Sequence, residues 1–275
     1  MNIKLIATDL DGTLLTSPYG TSEENILQLK AAAQSGIRII VATGRTFSEI
    51  PQQIKDISEI DFFITSNGSC IRKNNGDIVH SSYLSEDTVQ AVFEFSENYK
   101  CFPDIYIDGN SYMQKSHAIE FASYTFDMFS IDEIASLCTM TDDIYKLFRS
   151  NPSKTEKMNL FFASAQEREK AEKNLRSVLS DVNITNSMSL NIEISDINAS
   201  KGKALEYVCG NFVSGIKSSE IMALGDSNND ISMFDYAGYS VAMGNAPDSV
   251  KNYTDRVTGI CSENGFAMAL KNIIK

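Results

Sequence analysis

The sequence predicts an α/β fold: a parallel central sheet sandwiched by helices, interrupted by an inserted α+β domain. Three observations carry this. From Lys4 to Thr65 apolar strands alternate with amphipathic helices in the order β-α-β-α-β, the signature of a parallel sheet covered by helices. From about residue 84 to 189 hairpins mix with helices instead. From Lys201 the strand–helix rhythm returns. Residues 1–83 and 190–275 are therefore expected to form one core domain, with 84–189 inserted into it as a cap.

In order along the chain, Lys4 to Thr8 is a short apolar run bounded by polar residues, too short for a helix and right for a buried strand. Thr21-x-x-Glu24 has the form of a capping box, and the helix behind it places Ile26, Leu29 and Ala33 on one face before Gly36 ends it. Ile37 to Ala42 is the second strand, running into Thr43-Gly44-Arg45. Thr46-x-x-Glu49 is expected to cap a further helix. Asp61 to Thr65 is the third strand. A hairpin follows, Cys70–Lys73 with Ile78–Ser81, turning at Asn75-Gly76. In the insert, helices are expected at about 86–98, in segments from 116 to 137, and at 166–180. Strands are expected at 105–108, 111–114 and 158–164, at Ile184 and at 190–195. The last part reads as helix 201–212, strand 220–224, strand 239–243 and a final helix over 263–274.

The chain has 275 residues, enough for two domains, and its 43% hydrophobic and 22% charged content is that of a folded globular protein. A net charge of −12 repels polyanions, so nucleic acid is not an expected partner. An anionic substrate must instead find a local positive field, from a metal, a lysine or backbone amides. The five cysteines include no Cys-x-x-Cys pair and suggest no disulfide framework or zinc site. No apolar run reaches the ~20 residues of a membrane span, and Asp9 and Asp11 interrupt any N-terminal leader, so a cytoplasmic location is expected. The two histidines, His80 and His117, sit beside no nucleophile signature, which argues against Ser-His-Asp or Cys-His chemistry.

The chemistry is expected at Asp9-Leu10-Asp11-Gly12-Thr13. In open parallel sheets ligands bind beyond the carboxyl ends of the strands, where this segment begins. Side chains at i and i+2 of an extended chain tend to point the same way, and two carboxylates aimed at one place repel unless a cation lies between them. A hard cation with oxygen ligands, Mg²⁺ above all, suits such a place. Asp-x-Asp-Gly also fits an ordinary turn. Three further signals fall at strand ends or helix starts of the same core: Thr43-Gly44, Lys201, and Asp226 with Asn229 and Asp230. Each alone reads as a loop, a solvated lysine or a helix cap. Their joint occurrence in this order favours one site.

These residues carry a resemblance. Asp9-Leu10-Asp11-Gly12-Thr13, Val41-Ala42-Thr43-Gly44-Arg45, Ser200-Lys201-Gly202-Lys203-Ala204-Leu205 and Gly225-Asp226-Ser227-Asn228-Asn229-Asp230 resemble the four motifs of the haloacid dehalogenase-like (HAD) phosphatases. The Cof-type subfamily (IIB) is the best match, and Asn67-Gly68 and Met243-Gly244-Asn245-Ala246 also resemble its segments. Glu263-Asn264-Gly265-Phe266 departs from it, standing where Asp-Gly-Val is usual. The resemblance implies a HAD-like Rossmannoid core with a large α/β cap and a Mg²⁺-dependent phosphatase. Asp9 would be the nucleophile. Asp11 would be the acid and base, and its backbone carbonyl would join Asp9 and Asp226 around Mg²⁺. Leu10, Thr43, Gly44, Lys201 and Asn229 would hold the phosphate, and Asp230 would orient Lys201 or a metal-bound water. The substrate implied is a small phosphorylated metabolite: a sugar phosphate, a nucleotide or a phosphorylated cofactor. The cap would read the leaving group and gate water, and its aromatic residues Tyr106, Tyr112, Phe121 and Tyr124 are either substrate contacts or cap core. A phosphomutase or phosphotransferase would use the same intermediate but pass the phosphoryl group to an alcohol. A non-catalytic phospho-ligand sensor usually lacks the first or second aspartate, and both are present.

Overall fold

A computed structural model of the protein describes residues 2–124, 130–271 and 273. The chain divides into two compact units. The core unit comprises Met1–Gly44, Ile50–His80 and Ser200–Lys275; the cap unit comprises Arg45–Glu49 and Ser81–Ala199.

The core unit opens with β1 (Leu5–Thr8), α1 (Glu23–Gln34), β2 (Arg38–Ala42), α2 (Gln52–Lys55), β3 (Ile60–Thr65), β4 (Cys70–Lys73) and β5 (Ile78–Ser81). The cap unit adds α3 (Glu86–Ser96), β6 (Cys101–Ile107), β7 (Asn110–Gln114), α4 (Lys115–Tyr124), α5 (Ile131–Leu137), β8 (Thr139–Thr141), α6 (Ile144–Ser150), β9 (Thr155–Phe162), α7 (Ala165–Val178), β10 (Val182–Thr185) and β11 (Asn191–Asp196). The core resumes with α8 (Lys201–Asn211), β12 (Ile221–Gly225), α9 (Ile231–Tyr236), β13 (Tyr239–Ala242), α10 (Asp248–Lys251), β14 (Arg256–Val257) and α11 (Gly265–Leu270).

The core sheet has eight strands in the order β14-β13-β12-β1-β2-β3-β4-β5, parallel from β14 to β3, with β4 antiparallel to β3. Every residue of β1 and β12 is buried, as a strand covered on both faces requires. Register fixes the level at which these strands end. Thr8 pairs with Leu224 on one side and Val41 on the other, so Asp9, Gly225–Asp226 and Thr43 emerge along one edge. On one face, α8 and α9 pack Leu205, Val208, Met233 and Phe234 against Leu5, Ala7, Ile40 and Ala223. Gly202 permits that crossing, because a Cβ there would lie 2.0 Å from the Ser232 carbonyl oxygen.

The cap sheet has six strands in the order β10-β11-β9-β6-β7-β8, antiparallel except for β7 with β8. One face is apolar: Ile105, Met158, Leu160, Ile192 and Ile194 pack against Val89 and Phe93 of α3, Phe148 of α6 and Leu175 of α7. The other face is apolar only at one end, where Phe102 and Met113 meet Phe121 of α4 and Ile134 of α5.

Several expectations shift. The cap of α1 is Ser22, whose hydroxyl accepts from Asn25 N; the Thr21 hydroxyl donates to the Leu14 carbonyl instead. No helix starts at Thr46. Its amide does reach the Glu49 carboxylate, at 2.6 Å, but Pro51 disfavours helical backbone at Ile50, and α2 begins only after the proline. The expected return to the core at 190 comes too early. Asn191–Asp196 is β11, paired with β9 and β10 of the cap sheet, and the units divide between Ala199 and Ser200. At the other junction the cap begins at Ser81 rather than 84, and it takes in Arg45–Glu49, which no sequence signal separates from the core. The final helix is described only over Gly265–Leu270, and residues 272 and 274 lie outside the described residues.

Candidate active site

Asp9 leaves β1 with its amide bonded to the Leu224 carbonyl, 3.0 Å away, and its side chain is buried. The chain then turns tightly over Leu10–Leu14, with Gly12 at φ +72°. That turn needs glycine twice over. The dihedral disfavours any side chain, and a Cβ would stand 2.2 Å from Asp226 Oδ2. The close approach of backbone to carboxylate is what brings the first and fourth motifs together.

Lys201, at the first position of α8, is 1% exposed. Its Nζ donates to Asp9 Oδ1 at 2.6 Å and to Asp230 Oδ1 at 2.7 Å, although 192 residues separate it from Asp9. The other Asp230 oxygen accepts from the amides of Asp226 and Ser227 at 2.9 and 3.0 Å. Asp230 thus fixes both the lysine and the loop that presents Asp226. On that loop, the Ser227 hydroxyl donates to Asp226 Oδ1 at 3.1 Å. Asn245 Nδ2 lies 3.0 Å from Asp226 Oδ2 and 2.9 Å from the Gly12 carbonyl.

Electrostatics follow from this crowding. Burial raises the Asp9 carboxyl well above its ordinary range; Lys201 opposes the rise, and Asp230, Asp226 and Asp11 add to it. Asp226 is pushed up to about 7, by burial first and then by Asp230. Burial alone would lower the Lys201 ammonium, but Asp230 and Asp9 outweigh it and hold it above the usual lysine value. Asp9, Asp226 and Asp230 present carboxylate oxygens within 4.8 Å of one another, a donor set able to hold a metal ion. All of its donors are hard oxygens, the kind that Mg²⁺ and Ca²⁺ take.

The structure brings Asp9, Asp226, Asp230 and Lys201 together. The metal set read from sequence held Asp11 where the geometric cluster has Asp230; Asp11 is exposed, yet near enough to raise both Asp9 and Asp226. Thr43 is fully buried at the end of β2, its amide bonded to the Ile64 carbonyl at 2.8 Å, and Gly44 is half-buried. Leu10 is buried directly after Asp9. Asn229 Nδ2 donates to Asn67 Oδ1 at 3.1 Å, while Asn229 Oδ1 is buried with no hydrogen-bond partner among the described residues. Asn67 and Asn245 stand outside the set of site residues that the sequence suggests, and the structure ties both to it. Asn67, at φ +58°, receives Asn229; Asn245 ties Asp226 to the Gly12 turn. The signal in sequence was an asparagine beside a glycine, Asn67-Gly68 and Gly244-Asn245, at a strand end.

A family model described as haloacid dehalogenase-like hydrolase matches residues 6–270. A Bacillus subtilis relative named 5-amino-6-(5-phospho-D-ribitylamino)uracil phosphatase YcsE is 30% identical over 272 residues, covering 99% of this chain and 96% of its own. Phosphatase YwpJ of the same organism is 28% identical, covering 99% and 100%. Among solved structures, a haloacid dehalogenase-like hydrolase from B. subtilis superposes with a TM-score of 0.84 at 26% identity, covering 98% of this chain and all of its own. The HAD subclass IIB sugar phosphatase BT4131 superposes with a TM-score of 0.81 at 25% identity, covering 98% of each chain.

Proposed function

The chain belongs to the haloacid dehalogenase-like hydrolase family and is a phosphoric monoester hydrolase, and from that premise we propose that it is a Mg²⁺-dependent phosphatase of small phosphorylated metabolites acting through an aspartyl-phosphate on Asp9. The observation that carries this is the buried Lys201 ammonium bonded to both Asp9 and Asp230, with the Asp226 carboxylate alongside. A carboxylate can attack a phosphate dianion only where charge is balanced and the reactants are held in line.

Asp9 Oδ attacks phosphorus and the bond to the leaving oxygen breaks. Asp11, exposed at the rim of the turn, gives that oxygen its proton. Water then attacks the phosphorus of the acyl phosphate, losing a proton to Asp11; inorganic phosphate leaves and the Asp9 carboxylate is restored. Lys201, the Thr43 hydroxyl, the amides of Leu10 and Gly44, and Asn229 supply donors for the phosphoryl oxygens. Asp230 orients Lys201 rather than reacting, since its oxygens already serve Nζ and two amides. Asp9, Asp226 and the Asp11 carbonyl would hold Mg²⁺, which when bound supplies charge neutralisation and polarises the phosphoryl group.

The metabolite class follows from the relatives: one is named for a phosphoribitylaminouracil and one structure for a sugar phosphate. The test is inorganic phosphate release from a panel of sugar, polyol and nucleotide monophosphates, with Mg²⁺ and after EDTA. Chelation is expected to stop release, and Asp9→Asn to lower it by at least about 10³-fold while the protein stays folded. Undiminished turnover in Asp9→Asn refutes the nucleophile. Transfer of the phosphoryl group to an added alcohol, with no free phosphate, refutes hydrolysis.

A further inference from the structure

Asn245 is exposed, yet its carboxamide is held at both ends. The turn that carries it is fastened on either side. The Met243 amide donates to the Gly225 carbonyl and the Gly244 amide to the Gly259 carbonyl, each at 3.0 Å. Oδ1 of Asn245 accepts from the Cys261 amide at 2.9 Å. That amide belongs to a loop that is itself pinned: Asn264, at φ +61°, accepts from the Ser22 hydroxyl at 2.6 Å, and the Gly265 amide donates to the Ile260 carbonyl at 3.0 Å. A backbone N–H can be met only by the oxygen end of a carboxamide, so the NH2 end is turned the other way. There Nδ2 lies 3.0 Å from Asp226 Oδ2 and 2.9 Å from the Gly12 carbonyl, and its two hydrogens serve both acceptors. The second Asp226 oxygen, Oδ1, accepts from the Ser227 hydroxyl at 3.1 Å. Each oxygen of the Asp226 carboxylate therefore has its own donor, on separate loops of the core unit, and turning the carboxylate breaks those bonds. Hydrogen bonds between exposed groups add little net stability, and ordering the side chain opposes even that. What this arrangement provides is orientation.

We propose that Asn245 is a positioning residue that holds the Asp226 carboxylate rigid, and that this rigidity makes the site prefer Mg²⁺ to Ca²⁺. The inference rests on the metal-dependent reading above and adds a residue and a selectivity to it. Mg²⁺ demands near-ideal octahedral geometry at short distances, so its affinity depends on ligands that already stand in place. Ca²⁺ takes more oxygens in flexible geometry and accepts a carboxylate through one or both of them. Freeing Asp226 to turn therefore harms the smaller ion more than the larger one. The neutrality of the carboxamide matters as well. A carboxylate at position 245 would keep the bond from the Cys261 amide, but it would face Asp226 and the Gly12 carbonyl with an acceptor only. It would also add negative charge, and charge count together with site rigidity sets Ca²⁺ affinity.

Calorimetric titration of the whole protein with MgCl2, and separately with CaCl2, tests this without any substrate. Asn245→Ala is expected to weaken Mg²⁺ binding about tenfold and Ca²⁺ binding by no more than about twofold, so that the preference for Mg²⁺ falls at least about fivefold. Asn245→Asp keeps the Cys261 bond, loses both donors and adds an anion. It is expected to weaken Mg²⁺ likewise while Ca²⁺ affinity holds or rises. A merely structural role would loosen the site for both ions together and leave the ratio of the two Kd values unmoved. That ratio decides even for a less stable variant, because both ions are titrated against the same protein. A ratio within about twofold of wild type in Asn245→Ala and in Asn245→Asp overturns the proposal. The metal reading is checked apart from it. If wild type binds Mg²⁺ and Asp226→Asn abolishes that binding while the Asn245 variants keep the wild-type ratio, the metal site stands and the role of Asn245 falls. If wild type releases phosphate yet binds neither ion, the metal-dependent reading falls, and the selectivity proposed for Asn245 falls with it.

Discussion

Gly12 shows how one residue without a side chain can set the geometry between two carboxylates, Asp9 and Asp226. At φ +72°, with the place of its missing Cβ 2.2 Å from Asp226 Oδ2, it lets the Asp9 turn close on the Asp226 loop. Gly12→Ala is therefore expected to cost about 1–2 kcal/mol in backbone strain and to lower kcat by roughly two orders of magnitude as Asp226 is pushed aside. Urea denaturation and phosphate-release kinetics check the two effects. A variant with normal kcat would mean that the contact between turn and carboxylate is dispensable. The aspartates themselves were legible in sequence, because Asp9 and Asp226 each close an apolar strand, Asp11 follows two residues after Asp9 and precedes Gly12, and Asp226 stands between Gly225 and Ser227. Asn67 and Asn245 are harder to read as site residues, since each meets the site through a partner distant in the chain: Asn67 through Asn229, and Asn245 through Gly12 and Asp226. Of the cap aromatics, Phe121 is cap core, 5.6 Å from Phe102 and 5.2 Å from Phe161 between ring centroids, Tyr112 packs with the apolar cluster, and Tyr106 alone of the three stands on the polar face. The side chain of Tyr124 lies outside the described residues.

At the scale of elements, strand existence was easy to read and strand allegiance was not. β11 has the same buried-strand character as β12, and only pairing assigns the first to the cap sheet and the second to the core sheet. The Thr46-x-x-Glu49 box failed as a helix signal because a proline two residues beyond it outweighs a capping hydrogen bond. The polar face of β6, β9 and β11 was equally hidden, because Asp104, Asn159 and Glu193 become neighbours only once the register is known. That face has a consequence for stability. Burial lifts Asp104 to about 8, with Lys157 opposing and Glu49 reinforcing the rise. In the unfolded chain an aspartate titrates near ~4. Between those values the folded state keeps a proton that the unfolded state has released. Stability is therefore greatest below about pH 4 for this group and is lost as pH rises toward 8. Asp104→Asn keeps an acceptor for the Asn159 amide, now 3.1 Å from Asp104 Oδ1, and removes the titration. Its stability relative to wild type is expected to rise between pH 5 and pH 8, by on the order of 3–4 kcal/mol. Lys157, Glu49, Tyr106 and Glu193 also face this group but are common to both proteins. A pH-independent or falling difference in denaturation midpoints would contradict the assignment.

For the whole molecule, the dominant fact is a net charge of −12 on a protein that handles anions. The parallel sheet resolves this locally. Strands β1 and β12 pair although more than 200 positions separate them in sequence, so Asp9 and Asp226 meet at one edge with Lys201 between Asp9 and Asp230. One ammonium faces three clustered carboxylates, and on the function proposed above a bound divalent ion would balance the excess of negative charge. The unfolded chain scatters those carboxylates and binds the ion far less, so binding must appear as stability. At an Mg²⁺ concentration of 100 times Kd the gain is about 2.7 kcal/mol. For a protein of this size that corresponds to roughly 5–10 °C in Tm. Thermal unfolding in Mg²⁺ against EDTA is expected to show this shift in wild type and to lose most of it in Asp226→Asn. Asp104→Asn removes a carboxyl from the cap unit instead, so it should keep the shift in full. If Asp226→Asn retains the whole shift, the ion binds elsewhere, and the charge excess at the sheet edge must be relieved by protonation instead.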